Sequence, residues 1–172
     1  MSVYLGVNFN NLRKALWLIY YGTSVEEETA YKYILPMKQN FFNPIEDMGD
    51  DTYIQFFIDR DEKITQDQYG HNTNFLYKLA HVTFRFVGKE AEDWAKATHH
   101  FTKRHSVSKV FAGVCNAEFL EAVGDIIPTP VDFFGKNTAI AFDVEMKLKY
   151  NEVMELEWEP LTGVSLAPGE IR

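Results

Sequence analysis

From Thr138 to Tyr150 the chain alternates with a period of two. Ile140, Phe142, Val144, Met146, Leu148 and Tyr150 share one parity, and Asp143, Glu145, Lys147 and Lys149 the other. A pleated strand sends successive side chains to opposite faces, so the pattern predicts a half-buried strand with one apolar and one charged face. At about 3.3 Å per residue the run spans roughly 43 Å, against a usual strand of about 5–6 residues. The stretch reads as the central strand of the protein, its charged face left to solvent or to a partner. The apolar parity continues through Met154, Leu156 and Trp158, opposed by Glu155, Glu157 and Glu159, as a second alternating run that Pro160 ends.

The remaining elements follow in order. Residues 1–9 read as an N-terminal arm. Asn10 or Asn11 offers a helix N-cap; Leu12, Ala15, Leu16, Ile19 and Tyr20 repeat at helical spacing, and Gly22 is a stop. Trp17 lies off that stripe as a packing residue. Ser24-Val25-Glu26-Glu27 has the form of a capping box, while Tyr31, Tyr33, Ile34 and Leu35 read equally well as a strand; the preferred reading is a short acidic turn before a strand over 30–35. The segment 37–51, with Pro44 and Gly49, is a loop holding four large apolar groups, Phe41, Phe42, Ile45 and Met48. A strand over 52–59 is apolar on both faces and predicts cover on both sides. Residues 59–74 read as a polar turn or mobile loop. The next strand, 75–87, puts Ala80, Val82, Phe84 and Phe86 on one face and His81, Thr83 and Arg85 on the other, with Gly88 closing it. A helix over 89–104 carries the stripe Ala91, Trp94, Ala95, Thr98 and Phe101, with acids in its first turn and bases at its end. Ser106 begins a short turn to Gly113, and 118–123 is a loose strand. Pro128 and Pro130 then break the chain before Phe133 and Phe134, and 135–137 turn it into the long strand. Residues 160–172 form an extended tail.

The fold class is therefore α+β: a mostly antiparallel or mixed sheet packed by two or three helices, with long C-terminal strands, in a single domain over 1–172. A chain of 172 residues is long enough for a real core. Its 14 Phe and 9 Tyr suggest extensive packing surfaces, internal or between subunits. The net charge of -8 argues against tight binding to a phosphate backbone, though an acidic wall can let DNA slide past. Cys115 is the only cysteine, so an intrachain disulfide and a thiolate zinc cluster are excluded. There is no apolar run near the roughly 18 residues of a membrane span, and the N-terminus lacks the order of a signal peptide. These features predict a soluble protein made in the cytosol.

The reactive constellations have plain explanations. His99, His100 and His105 lack the spacing that brings two rings onto one helical face for zinc, and their place at a helix C-terminus accounts for them. Asp59 to Lys63 lacks the glycine and bidentate Glu of a calcium loop and reads as a solvated turn. Cys115 has no flanking nucleophile pattern and reads as a small buried residue. The acidic pairs Asp50/Asp51 and Asp143/Glu145 read as wet surface. No catalytic, cofactor-binding or metal residue is assigned, and no cofactor is expected.

Three stretches resemble the neck or tail terminator (tail completion) proteins of tailed bacteriophages. Ile34-Leu35-Pro36-Met37-Lys38-Gln39-Asn40, with Pro44 and the strand Tyr53 to Ile58, is similar to that family's early strand, Gln-Asn turn and proline-bearing loop. Lys78 to Val87 leading into the Trp94 helix is similar to its central strand-to-helix step. Val123-Gly124-Asp125 through Pro128, then Thr138 to Tyr150, is similar to its closing strand pair. The likeness covers roughly residues 10 to 150; the first 9 residues and the tail after Tyr150 depart from it.

The resemblance implies a virion protein without catalytic residues. It would form a ring of six copies that caps the tail tube, joins it to the head connector and lets DNA pass without specific binding. It would be made in the host cytoplasm and would act in the tail or neck of the virion, with no membrane partner. Phe41, Phe42, Phe133, Phe134, Glu145 and Trp158 are then the candidate assembly contacts. A head-completion or baseplate subunit is the alternative in the same setting; a metal-dependent hydrolase built on the three histidines is the alternative of another class.

Overall fold

The computed structural model describes residues 7–37, 51–63, 68–69, 73–133 and 137–155. The loop expected over 37–51 lies outside the described residues except at its two ends, and the tail expected over 160–172 lies wholly outside them.

Helix α1 (Phe9–Tyr20) starts at Asn8, earlier than the two asparagines expected to cap it. Asn8 has extended backbone and its side-chain oxygen accepts the Asn11 N–H at 2.9 Å, satisfying one orphan donor of the first turn. Leu12, Ala15 and Leu16 are buried, and Gly22, at φ +67, ends the helix with its N–H on the Trp17 carbonyl. The strand expected over 30–35 is shorter. A one-turn helix, α2 (Glu27–Ala30), precedes β1 (Ile34–Pro36), which runs parallel to the next strand. Local contacts hold that turn: the Arg13 guanidinium lies 4.2 Å over the Tyr31 ring and donates to the Tyr31 carbonyl, and the Tyr31 hydroxyl bonds Glu27.

β2 (Tyr53–Lys63), β3 (Gln68–Tyr69) and β4 (Thr73–Val87) take up the described residues of the turn or loop expected over 59–74, and Asp59 to Lys63 is strand rather than solvated turn; 64–67 and 70–72 lie outside the described residues. Asp59 is the extra residue of a bulge, after which β2 pairs with β4 as far as Lys63↔Lys78. A ladder is closed by backbone groups, which charged residues carry as well as apolar ones. The helix expected over 89–104 divides into α3 (Ala91–His99) and a 3-10 turn over 101–103. The short turn expected after Ser106 is an 11-residue helix, α4 (His105–Cys115), ended by Asn116 in the left-handed region. Val107, Phe111 and Cys115 are its buried stripe.

Two long strands follow, β5 (Ala117–Phe133) and β6 (Asn137–Glu155). Pro128 and Pro130 do not break β5. They pair with Phe142 and Ile140, and β5 is an edge strand among the described residues, so its outer side needs no N–H donors. Among the described residues the strand order is β1-β2-β4-β6-β5, with β3 on β4, and only β1 and β2 run parallel. The fold is α+β with a mixed sheet, as its alternating and helical patterns predict. β4, not β6, is the middle strand, although β6 has a partner on each side.

Helices α1, α3 and α4 cover one face of this sheet. Leu12, Leu16, Ile54, Phe56, Phe84, Phe86, Phe111, Met146 and Leu148 are fully buried between the layers. The apolar parity of β6 behaves as expected from Val144 to Tyr150, but Phe142 is only half-buried and Ile140 is 58% exposed. No helix among the described residues is long and apolar enough to cross a membrane.

Cys115 ends the α4 stripe with no exposed surface, and burial pushes its thiol from the ordinary 9.0 up to about 12. The folded state disfavours the thiolate. The corresponding stability is complete below pH 9 and is lost as pH rises toward 12. Thiol-reactive dyes are expected to label Cys115 only at the rate of unfolding; rapid labelling of the native protein at pH 8 would place the thiol elsewhere.

Candidate functional site

The sheet face that is helix-free among the described residues carries the odd parity of β6, and the structure converts its charges into a cross-strand lattice. Arg85 on β4 stands opposite Asp143 on β6. Its Nε donates to Asp143 Oδ1 at 2.7 Å and its Nη2 to Oδ2 at 2.6 Å, a planar bidentate pair. Thr129 on β5 donates its hydroxyl to the same carboxylate at 3.1 Å. One turn of the pleat along, His81 Nδ1 lies 2.9 Å from Glu145 Oε1, and Lys147 Nζ donates to Glu121 Oε1 at 2.7 Å. Lys147 holds the Glu121 carboxyl below its usual range through that hydrogen bond and its charge.

Burial varies along the face, and His81 keeps only 4% of its side-chain surface beside Glu145. Tyr53, Gln55, Phe57, Val87 and Ala141 are buried at one end. Arg85 and Asp143 keep 13% and 15% of their side-chain surface, and Glu145 keeps 33%. The bidentate pair is thus half-way between a core pair and a surface pair. Removing Arg85 alone, as Arg85→Met, is expected to cost about 1–3 kcal/mol, because the Asp143 carboxylate stays partly desolvated. Arg85→Met combined with Asp143→Leu is expected to recover at least half of that in a double-mutant cycle by thermal denaturation; simple additivity would show that the two side chains do not act together.

Both ends of β6 outrun the sheet. It pairs with β4 from Phe142 to Glu155 and with β5 from Asn137 to Tyr150. Among the described residues, 137–141 therefore pair with β5 alone, and beyond Asn151, which still bonds Asn116, 152–155 pair with β4 alone. The first end is a two-stranded ribbon with β5 among the described residues, whereas at the second β4 also carries β3 on its other side. Isolated two-stranded ribbons are marginal in water, so such projections gain stability when another surface covers them. The exposed large apolar residues Ile127 and Ile140, at 61% and 58%, lie near the β5–β6 ribbon.

Of the assembly contacts expected from sequence, Glu145 lies on the helix-free face beside His81. Phe133 ends β5, paired with Asn137, and so stands in a strand rather than a loop. Phe41, Phe42, Phe134 and Trp158 lie outside the described residues. The sequence pattern places His81 and Arg85 opposite the apolar face of their strand but does not join them to Glu145 and Asp143; opposite charges at matching parity on two adjacent strands are the available signal. Ile127 was missed, for it follows two register shifts in β5.

The histidines do not converge. His99 Nε2 lies 3.0 Å from the Gly124 carbonyl, and the His99 and His100 rings meet edge-on at 5.5 Å. Among the described residues, no three His, Cys, Asp or Glu side chains are grouped as a metal ion requires.

No protein-family model matches the chain, and no curated protein gives a significant match.

Proposed function

We propose that this chain is a non-enzymatic virion structural subunit, a tail terminator or tail-completion protein. Copies of it close into a ring, six by the family resemblance, that caps the tail tube and meets the head connector. The observation that carries this reading is the surplus length of β6, which over 137–141 pairs with β5 alone among the described residues. A ribbon whose β6 edge is unpaired among the described residues, with Ile140 exposed, is suited to burial against a neighbouring copy. The net charge of -8 suits a channel wall past which DNA moves without being held.

The purified chain, followed by native mass spectrometry and negative-stain microscopy, is expected to be a monomer or weak oligomer that closes into rings when tail-tube ends are added. A chain that forms no higher assembly at any concentration, with or without tubes, overturns the reading. Immunogold labelling of virions is expected at the neck; label on the baseplate or head vertex would move the subunit there.

A further inference from the structure

Away from the charged lattice, three aromatic rings from separate elements meet around an open cleft of about 480 Å³, within the roughly 300–1,000 Å³ of small-molecule sites. Tyr21 follows α1, Tyr33 precedes β1, and Trp94 belongs to α3. The Tyr21 and Trp94 rings stand at 85° with centroids 5.7 Å apart, and the Tyr33 ring lies within 25° of the Tyr21 plane at 6.4 Å. All three are half-buried. The packing of this corner is completed behind them by Tyr20, which stacks on Trp94 at 4.7 Å and touches Phe86 and Phe101. Tyr33 also meets the Tyr53 ring at 5.2 Å, and the three outer rings keep part of their surface open along the cleft.

Asp51 and Glu90 share the rim with Lys89, and all three are exposed. Glu90 stands at the N-cap of α3, yet its side chain makes no capping bond; that position is served instead by Thr52 Oγ1, which accepts the Glu90 N–H at 3.0 Å. Neither carboxylate has an ion-pair partner among the described residues. Rings set at right angles enclose a compact group, whereas a flat sugar stacks on a single platform. Ring faces and carboxylates both attract positive charge. We propose that this cleft binds an organic cation, an alkylammonium or guanidinium group, held between Tyr21, Tyr33 and Trp94 and drawn in by Asp51 and Glu90. The field there already acts on the protein: burial raises the Tyr21 hydroxyl pKa, and Tyr33, Asp51, Tyr53 and Glu90 raise it further.

Charge variants on the rim test this without disturbing the core. Choline and its neutral isostere 3,3-dimethylbutanol would be titrated into the full chain by calorimetry and by the indole N–H resonance of Trp94. Acetyl-arginine-methylamide would be titrated in parallel. Saturable binding of a cation, with the isostere at least about tenfold weaker, is the expected result. Glu90→Gln is expected to weaken binding about two- to fivefold and Lys89→Gln to strengthen it by a similar factor, both effects shrinking at high salt. Preference for the arginine derivative identifies a protein side chain as the source, and preference for choline a free small molecule. No cation binding, equal binding of the isostere, or rim variants that shift affinity in the same direction overturns the proposal.

Discussion

Leu148→Ala will cost about 2–5 kcal/mol, whereas Ile140→Ala, on the same parity of the same strand, will leave stability within about 0.5 kcal/mol. Leu148 has no exposed surface and stands between Ala80 on β4 and Phe119 on β5, under the helical layer. Truncating it removes buried methyl groups and leaves a cavity whose walls are fixed by strands on both sides. At about 2–4 °C per kcal/mol for a chain of this size, the melting temperature falls by roughly 4–20 °C. Ile140 is 58% exposed and already half solvated, and Phe142 between them should fall between them in cost. Ile140→Asp then separates folding from assembly. It is expected to melt like the parent protein and to lose higher-order association. Equal melting losses for Leu148→Ala and Ile140→Ala would show that the ribbon end is sealed in the core.

The contrast between those residues marks what a one-dimensional pattern can carry. The alternation of 138–150 gave the strand, its two faces and the charged side correctly, because parity depends only on the pleat. It could not show where neighbouring strands stop. That depends on register, and β5 shifts register twice, between Phe119 and Glu121 and between Val123 and Ile127. Ile140 therefore reads as core from parity and is exposed because β4 ends before reaching it. Pro128 and Pro130 mislead for a related reason: proline forbids an interior strand but not an edge, and edge position is a property of the whole sheet. The α4 stripe of Val107, Phe111 and Cys115 was legible at helical spacing but lay hidden behind Gly113. Glu145 was chosen from sequence, while its partner His81 was found only when the strands were laid side by side. The aromatic cleft was the least legible, since Tyr21, Tyr33 and Trp94 meet only through tertiary packing.

Gly88→Ala is expected to be as damaging as a core truncation, although no side chain is lost. Gly88 joins β4 to α3 at φ +127, a backbone conformation that residues with a Cβ rarely adopt. A Cβ there would lie 2.3 Å from the Asp51 carbonyl oxygen and 2.8 Å from the Thr52 Cα. Both obstacles are backbone, so no rotamer change relieves them. Either the entry to β2 moves away or the turn into α3 is remade. Local strain of about 1–3 kcal/mol and overpacking of a similar size together give roughly 2–6 kcal/mol. The same shift would pull Thr52 from the Glu90 N–H and Asp51 from the cleft rim, so cation binding should fall with stability. Gly22→Ala provides the comparison. Gly22 also has positive φ, at +67, but a Cβ there meets nothing within 4 Å. Its cost should be limited to backbone strain, about 1–2 kcal/mol, with the cleft unaffected. If thermal melts place the two variants together, the close approach of β2 to the β4–α3 turn does not exist in solution.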